Sequence, residues 1–123
     1  MAKILIVDDD PDIRTYLSTF LGDKGYTTLV AEDGVEGMNA VHKEKPDLIT
    51  LDIIMPNQTG VKMYRIIKND EGLKDIPVII VSGVTQYKDL FRKSHRTMPK
   101  PVAFIEKPVN RDVLLEKIKE VIG

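Results

Sequence analysis

The sequence predicts an α/β protein: a doubly wound, five-stranded parallel sheet with helices on both faces. Three observations carry this. Apolar runs and helix-period segments alternate five times along the chain, and such alternation means right-handed crossovers between parallel strands. The runs around Ile4–Val7, Leu48–Leu51 and Val78–Val81 are nearly continuous, as strands covered on both faces require. Polar groups also collect where those runs end, which is the edge at which open α/β sheets bind ligands.

Taken in order, Ile4–Val7 reads as the first strand. Asp8-Asp9-Asp10-Pro11-Asp12 follows, and a proline preceded by an acid is a helix-start signal. Ile13, Leu17, Phe20, Leu21 and Lys24 keep helical spacing up to Gly25, the stop. Tyr26–Ala31 is the second strand. Asp33-Gly34 reads as a turn before a modestly amphipathic helix with Val35, Met38 and Val41 on its apolar face, broken at Lys45-Pro46-Asp47. The third strand, from Leu48, runs into Asp52. Pro56–Gly60 is a loop, and Val61, Tyr64, Ile67 and Lys68 mark a third helix ending near Gly72. Pro77–Ser82 is the fourth strand. Tyr87, Leu90, Phe91 and Ser94 predict a fourth helix, terminated by Pro99 and Pro101. Val102–Glu106 is the fifth strand, closed by Lys107-Pro108. Asn110 can cap a last helix lined by Val113, Leu114, Lys117, Ile118 and Val121.

With 123 residues the chain fits one domain, 1–123, with a real core. Hydrophobic residues at 42% and charged residues at 30% give an ordinary soluble balance, and a net charge of −1 argues against direct nucleic-acid or membrane binding. The lack of cysteine excludes disulfides, thiolate metal sites and cysteine nucleophiles. The first apolar run is too short for a signal peptide or a spanning helix, so a cytoplasmic location is expected.

The strand ends then supply a constellation: Asp8 and Asp9 after the first, Asp52 after the third, Ser82 at the fourth and Lys107 after the fifth. The central strands of a doubly wound sheet end side by side, so these groups should converge. Three close carboxylates cannot all stay ionised without a cation, and hard oxygen ligands open to water suit Mg²⁺. A lysine and a hydroxyl beside them favour phosphoryl oxygens. The chemistry implied is a carboxylate nucleophile that accepts a phosphoryl group with metal help. Asp10 is the acid best read as a helix cap only, Asp12 as a solvated first-turn acid, and His42 and His95 as solvated histidines without metal spacing.

Val7-Asp8-Asp9-Asp10-Pro11, Lys45-Pro46-Asp47-Leu48-Ile49, Asp52 with Met55-Pro56 and Gly60, Val81-Ser82-Gly83, and Lys107-Pro108 occur in that order. Together they make the chain resemble a response-regulator receiver domain of two-component signalling, over essentially its whole length. The resemblance implies a flavodoxin-like fold with strand order 2-1-3-4-5. It implies Asp52 as phosphoacceptor, Asp9 as direct Mg²⁺ ligand, Asp8 as the acid that helps through water, and the Ile54 carbonyl as a further ligand. It implies Ser82 as the hydroxyl that moves to the phosphoryl group, Lys107 as its cationic partner, a cis Lys107-Pro108 bond, and Phe104 in the place of the switching aromatic. Core packing is the plainer role for Phe104, and loop shaping for Met55, Pro56 and Gly60. The implied donor is a histidine kinase or phosphotransfer protein. The implied state is a monomer or a phosphorylation-dependent dimer that signals through its fourth helix, fifth strand and last helix. It would not be an enzyme beyond assisting its own phosphorylation and slow dephosphorylation. No output segment is expected within these residues, and a stand-alone receiver and a piece of a larger regulator would read alike.

Two departures stand out. Before the fifth strand, where receivers usually have Gly-Ala, the chain reads Arg96-Thr97-Met98-Pro99-Lys100-Pro101-Val102-Ala103. Lys88, Arg92, Lys93, His95, Arg96 and Lys100 make this stretch basic; a solvated face is the plain reading, and docking of an acidic output partner is the functional one. An aspartyl phosphatase is disfavoured, because the position for its second acid is Ile54. An FMN carrier is disfavoured by the acids of Asp8–Asp12, which repel an unmetallated phosphate. A binding module that never takes phosphate is the remaining alternative. At the site, Ile54 and Val84 offer an in-line water no hydrogen bond, which predicts a long-lived phosphorylated state. Replacing both by polar residues should shorten the lifetime of the phosphorylated chain, followed by the decay of its intact mass; an unchanged lifetime counts against the reading.

Overall fold

A computed structural model describes residues 2–53, 59–83 and 101–123. Local chemistry sets where its elements begin and end. Strand β1 (Lys3–Val7) leads into helix α1 (Pro11–Asp23), whose N-cap Asp10 accepts the Asp12 N–H while Pro11 opens the first turn. Asp10 therefore has the capping role expected of it. Gly25, at φ +98°, takes the left-handed conformation that ends the helix, and the N–H groups of Gly25 and Tyr26 close back onto the carbonyls of Gly22 and Leu21.

After β2 (Thr27–Ala31), Asp33 caps α2 (Gly34–Glu44) by accepting the Glu36 N–H at 2.8 Å. Asp33-Gly34, expected as a turn, is thus a helix start; the dipeptide suits either, and the acceptor geometry decides. Helix α2 ends at Lys45, itself left-handed at φ 49°, and Pro46 cannot continue it. Strand β3 (Leu48–Leu51) and α3 (Thr59–Asn69) follow. Helix α3 stops short of Gly72 because the Asp70 carbonyl turns to the N–H groups of Leu73 and Lys74, while Lys68 Nζ donates to the carbonyls of Lys74 and Ile76. Strands β4 (Val78–Ser82) and β5 (Ala103–Glu106) precede the C-terminal helix α4 (Arg111–Ile122), where Asn110 Oδ1 accepts from both Asp112 and Val113. The helix expected over Tyr87–Ser94 and the basic stretch up to Lys100 lie outside the described residues.

The five strands form one parallel sheet in the order β2-β1-β3-β4-β5, as the resemblance implied. The two-residue pleat sorts the core into two layers. Leu5, Val7, Ile49, Leu51, Val78 and Ile80 pack with Val41, Met63, Tyr64 and Ile67 under α2 and α3. Ile4, Ile6, Leu48, Ile79, Val81 and Ile105 pack with Leu17, Leu21, Leu114 and Ile118 under α1 and α4. Three residues assigned to apolar helix faces in the sequence are exposed instead: Val35, Val113 and Val121. Among the described residues no helix is long and apolar enough to cross a membrane.

Asn110 holds two orphan N–H groups of α4, the helix that covers β5. Asn110→Ala should cost about 1 kcal/mol, measured as a lower urea midpoint with an unchanged slope; an unaltered midpoint would show that the cap contributes nothing.

Candidate functional site

The sheet's hydrogen bonding continues one residue past the strands, and this places the site. Asp8 N–H donates to the Ala31 carbonyl at 3.1 Å, Asp52 N–H to Val7 at 2.9 Å, and Lys107 N–H to Ser82 at 2.9 Å. Asp8 follows Val7, and Asp52 follows that residue's register partner Leu51, so the two acids sit side by side at the tips of β1 and β3. By the period of two, Asp8, Asp52 and Lys107 share the sheet side of Ile6, Leu48 and Ile105, the side covered by α1 and α4. Strand β4 lies between β3 and β5. Adjacent strands are about 4.8 Å apart, so only a long side chain on β5 can reach an acid on β3.

Lys107 makes that reach. Its Nζ lies 3.1 Å from Asp52 Oδ2 and 3.2 Å from Asp8 Oδ2. Asp8 and Asp52 are each only 2% exposed, so this ammonium faces two carboxylates almost removed from water. The other oxygen of Asp8 accepts the Asp10 N–H at 2.9 Å. Asp9 is exposed, yet one carboxylate oxygen from each of Asp8, Asp9 and Asp52 can be chosen so that all three lie within 4.8 Å of one another.

Burial pushes the Asp8 carboxyl above its ordinary value, although the Asp10 N–H and the Lys107 ammonium pull it down; Asp9 adds to the upward push. Burial alone would lower Lys107, but the charges of Asp52 and Asp8 outweigh it and hold the ammonium above its usual range. The Lys107 ammonium offsets one of three carboxylate charges. The remainder makes a pocket of hard oxygen donors with surplus negative charge, which suits a divalent cation with oxygen preference.

Ser82 is fully buried, and its Oγ has no hydrogen-bond partner among the described residues. Leaving a buried hydroxyl unsatisfied costs about 1–3 kcal/mol. Phe104, half-buried, packs against the core layer under α2 and α3. The Lys107-Pro108 peptide is cis. Ile54, whose carbonyl the resemblance makes a ligand, lies outside the described residues, as do Met55, Pro56 and Val84.

Two contacts had no counterpart in the sequence reading. Arg14, one turn into α1, donates from Nη1 to the Asp8 carbonyl at 2.7 Å and so pins the peptide between Asp8 and Asp9. A cation one turn beyond a strand-end acid is the signal that could have suggested it. Gly60 is more than a loop former. It lies in α3, and a Cβ there would run into the Asp52 carbonyl oxygen and stand 2.7 Å from Ile53 Cα. Only glycine lets α3 start this close to the backbone of Asp52.

The family model for the response regulator receiver domain matches residues 4–119. The chain is 36% identical over 126 residues to protein PilH of Pseudomonas aeruginosa, covering 100% of this chain and 99% of that one. It is 38% identical over 117 residues to the CAI-1 autoinducer sensor kinase/phosphatase CqsS of Vibrio cholerae, covering 94% of this chain but only 17% of that protein. Among solved structures, the response regulator TrrA of Thermotoga maritima in complex with Mg²⁺-BeF superposes with a TM-score of 0.84 at 30% identity, over 99% of this chain and 100% of that one. Fold, acid cluster and sequence agree: the chain belongs to the response regulator receiver domain family of two-component systems.

Proposed function

We propose that Asp52 accepts a phosphoryl group from a phosphohistidine on a histidine kinase or phosphotransfer protein. The observation that carries this is the single ammonium of Lys107 bonded to two buried carboxylates from separate strands, with Asp9 beside them. Mg²⁺ fits the donor set, held by Asp8, Asp9 and Asp52, with the Ile54 carbonyl as the further ligand the family suggests. Bound there, it would neutralise charge on the transferring group.

An Asp52 carboxylate oxygen attacks phosphorus as the phosphorus–nitrogen bond breaks, and that bonding pair leaves with the imidazole. The acyl phosphate carries about −1.5 to −2 charge. Lys107, already within 3.1 Å of Asp52, pairs with the new oxygens. Ser82, buried and without a hydrogen-bond partner among the described residues, donates its hydroxyl proton to one of them. Its movement, together with Phe104, biases the surface of β5, α4 and the segment before β5 toward an output partner. The protein is on this reading a phosphoacceptor, not an enzyme acting on another substrate. A largely apolar groove of about 290 Å³, lined by Ile13, Tyr16, Pro108 and Val109 with Asp12 and Lys107, adjoins the site and suits docking of the donor.

Acetyl phosphate with Mg²⁺ should add the mass of one phosphoryl group to the intact chain and none to Asp52→Asn. A wild-type chain that stays unmodified would favour the phosphorylation-independent binding module.

The raised Asp8 pKa has its own consequence. An acid whose folded pKa lies above its unfolded value of 3.8 stabilises the fold only while protonated, and that contribution is lost as pH rises through the folded pKa. In metal-free buffer, Asp8→Asn should therefore unfold at higher urea than wild type at pH 7, and the gap should close as pH falls toward 3.8. Adding Mg²⁺ should stabilise wild type more than the variant. A variant less stable than wild type at pH 7 without metal would refute the surplus of charge.

A further inference from the structure

On the opposite side of the sheet from the acids, α2 and α3 enclose a groove of about 370 Å³. Its lining includes Val35, Met38, Met63 and Ile66. Val35 at 66% and Ile66 at 51% exposure are the two most exposed large hydrophobic residues among those described. Met63 is buried at the base, and methionine adapts its shape to what it meets.

Among the described residues that line the groove, Lys62 carries a positive charge and none is acidic. Helix α3 carries no Asp or Glu, and its Lys68, like the acids of α2, is engaged away from the lining, on the carbonyls of Lys74 and Ile76. The two acids of α2 are engaged elsewhere: Glu36 accepts the Glu32 N–H at 3.2 Å, and Glu44 pairs with Lys3 at 3.4 Å. An apolar trough between two helices, with the Lys62 ammonium on its rim, is complementary to an amphipathic helix whose apolar ridge is flanked by acids. A lipid surface fits less well, since the apolar floor is concave and anionic membranes call for larger clusters of cations.

We propose that the α2–α3 groove is a docking site for a partner's acid-flanked amphipathic helix, separate from the face that takes the phosphoryl donor. Apolar burial of Val35 and Ile66 holds the helix, and Lys62 selects against basic helices.

The test uses two labelled helical peptides with the same leucine ridge, one flanked by glutamates and the other by lysines, titrated with the full chain by fluorescence anisotropy. The glutamate peptide should bind on the order of ten-fold tighter than its lysine twin, and more weakly as salt rises. Ile66→Asp should abolish binding, and Lys62→Glu should reverse the preference between the peptides. Both positions are exposed, so both variants should keep the wild-type circular dichroism and acetyl-phosphate labelling. Equal binding of the two peptides, binding indifferent to Ile66→Asp, or no binding would overturn the proposal. So would anionic phosphatidylserine vesicles, or a second copy of the chain seen by sedimentation, engaging the groove in place of the glutamate peptide.

Discussion

Lys107 reaches across β4 to bond two carboxylates that the sheet has already taken out of water. That contact depends on the whole architecture. Asp8 and Asp52 are neighbours only because β1 pairs with β3 in a register that sets Val7 opposite Leu51. Lys107 shares their side of the sheet only because Ser82 pairs with Glu106 and the pleat repeats every two residues. A slip of one residue in either pairing would turn a carboxylate or the ammonium to the other layer. The apolar strands therefore do two things: they bury the core, and they fix the alignment of polar groups at its edge.

The site is also where the fold is least at ease. A buried carboxyl with a raised pKa, a surplus of acids over the one ammonium, and a buried hydroxyl without a hydrogen-bond partner among the described residues each oppose stability. Burial of the two central strands on both faces offsets this, with Ile4 to Val7 and Leu48, Ile49 and Leu51 at most 1% exposed. Strain of this kind persists where something bound relieves it. On the proposed reading, a divalent ion would answer the carboxylates and a phosphoryl oxygen the hydroxyl.

How much of this was legible in the sequence follows from the range of each interaction. Strands showed through because a continuous apolar run is a local pattern. The helix starts at Asp10 and Asn110 showed through for the same reason. The convergence of Asp8 and Asp52 followed from the doubly wound class, whose central strands end side by side; the strand order itself came from resemblance, because no local pattern states that the first strand pairs with the third. Helix α3 was read too long because the turn at Asp70 works through backbone acceptors rather than through a glycine or proline stop. Val35 was assigned to a core face by spacing, yet whether a helical position meets sheet or solvent depends on the helix's rotation against its neighbour. Arg14 and Gly60 act through the backbone of Asp8 and Asp52, contacts between elements that composition does not encode.

The two faces of the sheet are not independent, and α3 is the reason. Its second residue, Gly60, lies against the Asp52 backbone with no room for a methyl group, while Lys62, Met63 and Ile66, within two turns, line the groove shared with α2. A helix moves as a rigid rod over so short a span. A shift of α3 toward or away from α2 would therefore be felt at the Asp52 carbonyl, because the contact at Gly60 has no slack. Binding linkage is reciprocal. A ligand in the groove that prefers one placement of α3 favours whichever state of Asp52 shares that placement, and the state of Asp52 returns the same preference to the ligand.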